Sequence, residues 1–127
     1  MDWTDDDLQT LSAAKDFRIA PFREDGQTPG TPTFIWFVLD GGRLYVRAYN
    51  GTASSWYRAA IEQKAGEIVV DGERRRVVFE PITDEHTNDA IDEAYRAKHG
   101  ASQYLAPMIS KRARAATVRV RPSTAPA

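Results

Sequence analysis

The sequence predicts an α+β fold: a small, partly closed barrel of about six short, mainly antiparallel strands with helices at its periphery. Three observations lead there. Strand-like runs are hinged by the tight-turn signals Asp40-Gly41-Gly42 and Asp71-Gly72, the mark of two hairpins. Too few helical stretches alternate with strands for a doubly wound parallel sheet. Curling so few strands into a barrel also removes edges that an open sheet would expose.

The elements follow in order. Thr4 precedes Asp5, Asp6 and Asp7, a capping residue followed by carboxylates that suit the positive end of a helix. Leu8 and Leu11 give that helix a short apolar stripe. Phe17 and Ile19 flank Arg18 in a short strand stopped by Pro21. Residues 23–32 are a Gly/Pro-rich loop, and residues 33–39 form one strand leading into the first glycine turn. In the next strand Leu44, Val46 and Ala48 alternate with Tyr45, Arg47 and Tyr49, the period of a half-buried strand. Asn50-Gly51-Thr52 then opens a helix over about 53–64, apolar along Trp56, Tyr57, Ala60 and Ile61, with Gly66 as its stop. The second hairpin covers 67–71 and 73–82, ended by Pro81. Thr83 caps a helix to about 98, whose Ile91, Ala94, Tyr95 and Lys98 share a face, and Gly100 follows it. Residues 104–109 make a short helix or turn broken near Pro107, and 116–121 a last strand. Residues 1–122 are thus one domain, with 123–127 a frayed tail.

Composition narrows the function classes. With 127 residues, 42% hydrophobic and 28% charged, the chain can bury a core without disulfides or metals. There are no cysteines, which removes thiol nucleophiles and cysteine-ligated metals. A net charge of −1 gives no bulk attraction to nucleic acid or an acidic membrane. No apolar run approaches the ~20 residues of a membrane span. The acidic N-terminus lacks a signal-peptide pattern, so a cytoplasmic location is expected. His86 and His99 stand at opposite ends of one helix, ~20 Å apart at ~1.5 Å per residue, and cannot share a metal. No metal site and no catalytic residue is singled out.

The strand–turn–strand–loop–helix module from 33 to 60 carries the candidate site. A helix start offers unpaired N–H groups to an anion. Arg47 could add a forked pair of hydrogen bonds, or could simply face solvent on an outer strand. Tyr49, Asn50, Gly51, Thr52, Ser55, Trp56 and Arg58 complete the candidate binding set. Trp36, Tyr45 and Tyr49 are read as pocket wall or as a dimer interface, because Trp, Tyr and Arg anchor interfaces; a homodimer is expected. Lys98 extends an apolar stripe; its ammonium could meet a buried anion, or its stem could cover the stripe while the ammonium reaches water. Arg74, Arg75 and Arg76 would form a basic stripe with Arg119 and Arg121 if their strands were neighbours. No aromatic platform interleaves with them, so a nucleic-acid role is not favoured. With Arg47 taken as exposed, Gly41→Val is expected to cost more stability than Arg47→Ala.

The stretches IWFVLDGGRLYVRAYNG, SSWYRAAIEQKAGEIVVDG, AYRAKHG and ATVRVRP, in this order, resemble the split-barrel flavin-binding proteins. Among these the chain looks most like small uncharacterised bacterial proteins related to the deazaflavin-dependent nitroreductases, over about residues 8–122. The resemblance implies a split β-barrel in which residues 47–52 and Ser55-Trp56-Tyr57 receive a cofactor's phosphate. It implies flavin mononucleotide (FMN) or a deazaflavin as cofactor, and a planar, phosphate-bearing small molecule as partner. The chain departs from the nitroreductase pattern before Phe34, where Thr31 and Thr33 stand in place of a basic residue. Two functions stay open: a flavin- or deazaflavin-binding oxidoreductase, or a non-catalytic dimeric split barrel that has lost its cofactor.

Overall fold

The computed structural model describes residues 2–123. Seven strands form one antiparallel sheet: β1 (Phe17–Pro21), β2 (Thr33–Phe34), β3 (Phe37–Asp40), β4 (Arg43–Arg47), β5 (Ala65–Val70), β6 (Glu73–Pro81) and β7 (Thr117–Pro122). Five helices surround it: α1 (Asp5–Ala13), α2 (Ser55–Gln63), α3 (Glu85–His99), α4 (Leu105–Met108) and α5 (Lys111–Arg114). A 3-10 turn, Gly51–Ala53, precedes α2.

The spatial order is β2-β1-β5-β6-β7-β4-β3. The two edge strands, β2 and β3, are consecutive in the chain and separated only by Ile35 and Trp36. Such a link spans at most about 11 Å. The sheet must therefore curl until its two edges nearly meet, and it forms a half-barrel. The expected single strand over 33–39 breaks at this point, so about six strands become seven. Phe34 pairs with Arg18 of β1, whereas Phe37 pairs with Val46 of β4.

Both expected hairpins are present, β3–β4 around Gly41-Gly42 and β5–β6 around Asp71-Gly72. Inward-facing residues of every long strand build the barrel core, among them Phe17, Ile19, Leu44, Val46, Ile68, Val77, Val118 and Val120. Trp3 joins this core and donates its indole N–H to the Val120 carbonyl at 2.9 Å. A second core lies outside the barrel wall, where Val38 and Tyr45 meet Ile91 and Tyr95 of α3 and Met108 of α4.

Several boundaries move, each for a local reason. Asp84, not Thr83, caps α3 by accepting from the Thr87 N–H. Helix α2 stops at Lys64, which takes the left-handed conformation (φ 62°), so Gly66 is not its terminator. Gly66 lies within β5 opposite Pro21, where the β1 backbone passes too close for a side chain. Pro122 pairs with Val77 and Ser123 donates to the Arg76 carbonyl, so the chain is tied down one residue into the expected tail; residues 124–127 lie outside the described residues.

Strands β6 and β7 are neighbours, as a basic stripe would require. The stripe is nevertheless neutralised by its surroundings. Arg74 meets Glu67, Arg75 meets Asp7, Arg119 meets Asp2 and Arg121 meets Glu80.

Candidate functional site

Strand β4 has two buried faces. Leu44 and Val46 point into the barrel, while Tyr45 and Arg47 point outward beneath α3 and α4. Arg47 is therefore not the solvent-facing arginine that strand alternation suggests; it is 1% exposed. All five of its N–H donors are used inside the chain. Nε donates to Thr117 Oγ1 at 2.9 Å, and Nη1 to Asp92 Oδ1 at 2.5 Å and to the Met108 carbonyl at 3.1 Å. Nη2 donates to the Asn88 carbonyl at 3.0 Å and to Asn88 Oδ1 at 2.9 Å. Asp92 is shared with Arg114, which also reaches Asp89. Arg96, one turn on from Asp92, pairs with Glu93 instead. Burial pulls the Arg47 pKa down, and Asp92 opposes that shift. The result is a bolt joining β4 and β7 to α3 and α4. Tyr45, expected at a surface, is 3% exposed within the second core.

Beside this bolt lies a cavity of about 540 Å³, in the range of small-molecule sites. The β2–β3 break supplies Thr33, Phe34, Ile35 and Trp36 to its wall. Tyr49 and Asn50 come from the end of β4, Ser54, Ser55 and Trp56 from the start of α2, and Tyr104 and Met108 from the segment around α4. Five aromatic side chains are thus gathered round one space. The exposed large apolar residues Phe34, Tyr49 and Tyr104 all belong to it, and the Tyr49 and Tyr104 rings meet edge to face at 6.2 Å. Ser54 caps α2 without a side-chain hydrogen bond. The first-turn N–H groups of Ser55, Trp56 and Tyr57 have no partner among the described residues, and this helix end borders the cavity.

Of the candidate binding set read from sequence, Arg47, Tyr49, Asn50, Ser55 and Trp56 line this one cavity, as does Trp36. The others do not. Thr52 is exposed on the 3-10 turn. Arg58 lies on a different cavity with Arg23, Glu24, Asp25 and Glu62. Gly51 is buried at φ +76°, and a Cβ there would stand 2.5 Å from Arg112 Cγ. Its glycine makes room for Arg112. The contributions of Phe34, Tyr104 and Met108 escape a sequence reading because they come from a strand break and an irregular segment, neither of which has a periodic signal.

Behind the cavity, Trp36 stacks on His99, ring centroids 3.8 Å apart and 7° from parallel. His99 Nε2 is buried without a hydrogen-bond partner among the described residues, and burial, with neighbouring Lys98, lowers its pKa. Lys98 folds back so that its ammonium lies 3.2 Å from the Phe37 ring centroid and donates to the Phe37 carbonyl at 2.7 Å. Loss of water pulls its pKa down from 10.5 to about 8. Because folding lowers this pKa, the folded chain releases the proton first. The Lys98 contribution to stability therefore rises as pH climbs from about 8 towards 10.5. An NMR titration is expected to find Lys98 the earliest of the four lysines to deprotonate; an ordinary midpoint near 10.5 would show that its ammonium stays hydrated.

The fold and the sequence have relatives. The chain aligns over 94% of its length, and over 90% of the other chain, with a protein described as "Putative Pyridoxamine 5'-phosphate oxidase" from Listeria innocua, at TM-score 0.63 and 12% identity. It also aligns with the conserved hypothetical protein Rv2991 from Mycobacterium tuberculosis, over 95% of this chain and 80% of that one, at TM-score 0.62 and 14% identity. At these identities the likeness is one of fold, and it supports the split barrel. The family described as "Uncharacterized protein conserved in bacteria (DUF2255)" matches residues 7–120. A search of curated proteins finds no match.

Proposed function

The chain belongs to the DUF2255 family of bacterial proteins, and from that premise we propose that it binds a planar, phosphate-bearing ring compound, FMN-like or deazaflavin-like, in the aromatic cavity and serves an oxidoreductase role. One observation carries this reading. Phe34, Tyr49 and Tyr104, the exposed large apolar side chains, converge with Trp36 and Trp56 on the space beside the uncapped start of α2. A planar ring fits between aromatic walls, and an anion suits helix N–H groups. The name of the Listeria innocua protein adds an analogy of fold only.

A bound flavin or deazaflavin supplies the hydride chemistry itself. The chain supplies position. Trp36 and Trp56 flank the ring and exclude water, while Asn50, Ser54 and Ser55 offer polar groups at the cavity edge. Arg47 holds the wall in place through the Met108 carbonyl and has no donor left for a ligand.

That last fact favours the second reading, a non-catalytic barrel that has lost its cofactor, because Arg47, the one charged side chain among the described residues lining the cavity, is committed elsewhere. Titration with FMN and with a deazaflavin, followed by tryptophan fluorescence, separates the two. We expect saturable quenching, and an affinity for FMN about tenfold weaker in Trp56→Leu, in line with aromatic stacking of ~1–3 kcal/mol. Failure of both compounds to bind would leave the second reading standing.

Both readings include a homodimer that covers the exposed aromatic rim. Light scattering is expected to give twice the 14.2 kDa chain mass. A monomer at high concentration would refute the dimer without touching the cavity.

A further inference from the structure

We infer that Arg112 supplies the positive charge that receives the ligand's phosphate monoester beside the first turn of α2, a role that rests on the cavity being a ligand site. The candidates nearest in sequence are unsuited. Arg47 is fully engaged inside the chain. Arg58 shares its cavity with Glu24, Asp25 and Glu62, whose carboxylates would repel an anion.

Arg112 is held ready from another element. Its Nε donates to the Tyr49 carbonyl at 3.1 Å, and its guanidinium carbon lies 5.6 Å from the Tyr49 ring centroid. Tyr49 itself lines the cavity. These two contacts orient the fork while occupying one of its five N–H groups. The remaining four have no partner among the described residues, and no carboxylate is bonded to them. Most other arginines of the chain end on carboxylates, Arg114 and Arg119 among them. An unpaired guanidinium seated on a ring that lines a cavity with no acidic side chain among the described residues suits phosphate recognition.

The backbone also makes room for it. Gly51 opens the turn that leads through Ser54 into α2, and its missing side chain leaves the space taken by the Arg112 stem. The same turn therefore fixes both Arg112 and the start of α2. On this proposal a phosphate at that helix start takes formal charge from Arg112 and hydrogen bonds from the N–H groups.

The test compares FMN with riboflavin, which carries the same ring without the phosphate. Wild type is expected to prefer FMN at least tenfold. Arg112→Gln should lose most of that preference while keeping its riboflavin affinity within about twofold, and Arg58→Gln should change neither. Equal affinities in wild type, or a preference that survives Arg112→Gln, would overturn the role of Arg112 and leave the cavity reading intact. If neither flavin binds, that reading fails for flavins, and inorganic phosphate decides the role of Arg112 separately. A rise in Tm with phosphate that disappears in Arg112→Gln supports it; no rise, or an equal one, refutes it. Arg112 is exposed, so the variant should fold, and unchanged circular dichroism checks that it does.

Discussion

Arg47→Ala should lose about 3 kcal/mol of stability and melt well before Gly41→Val in urea. Breaking a buried ion pair from one side costs about 3–5 kcal/mol. Here Asp92 keeps Arg114, which places the expected loss at the lower end. The carbonyls of Asn88 and Met108 and the hydroxyl of Thr117 also lose their donor. Gly41 stands at φ +59° with open space where a Cβ would sit, so valine there brings only backbone strain of about 1–2 kcal/mol. This order reverses the one expected from the sequence, because α3 covers a strand face that alternation alone leaves open. Arg47→Lys should fall between wild type and alanine, since one ammonium cannot serve five acceptors. A loss below 1 kcal/mol in Arg47→Ala would mean that the bolt does not hold α3.

Gly66→Ala is expected to be as damaging, with a loss of about 3 kcal/mol, at the upper end of overpacking. An added Cβ would lie 2.6 Å from Pro21 Cα, 2.7 Å from the Ala20 carbonyl oxygen and 3.0 Å from the Phe22 nitrogen. All three are backbone atoms, so no side-chain rotation relieves the clash. Strands β1 and β5 would have to separate at one end, which also disturbs the β1–β2 pair at the cavity. Gly72→Ala is the comparison: nothing lies within 4 Å of its added Cβ, so only the strain of φ +87°, about 1–2 kcal/mol, is expected there. If Gly66→Ala melts with wild type, β1 can withdraw freely and the close approach is not a constraint.

Much of the fold is legible because local chemistry decides it. Glycine turns fix both hairpins, and Thr4 caps α1 as expected, while Asp7 accepts in return from the Thr4 N–H. The β2–β3 break has no local cause in sequence: residues 33–39 have the composition of a single strand, and only the curl of the sheet divides them. The candidate site was legible where it is local. Tyr49, Asn50, Ser55 and Trp56 are close in sequence and meet at one cavity. Arg112 lies sixty-one residues beyond Gly51, and its place depends on a contact between α5 and the turn before α2. Arg47 has the opposite history. Its position on the strand was readable, but its partners come from α3, α4 and β7.

The seam at Ile35 and Trp36 also bears on how copies of this chain treat one another. A sheet with two open borders invites a foreign strand to add at either one, the first step towards polymerisation. Here both borders belong to a single eight-residue stretch, Thr33 to Asp40, which pairs with β1 at one end and with β4 at the other. Neither border is long: β2 has two residues and β3 four, a short template for a foreign strand.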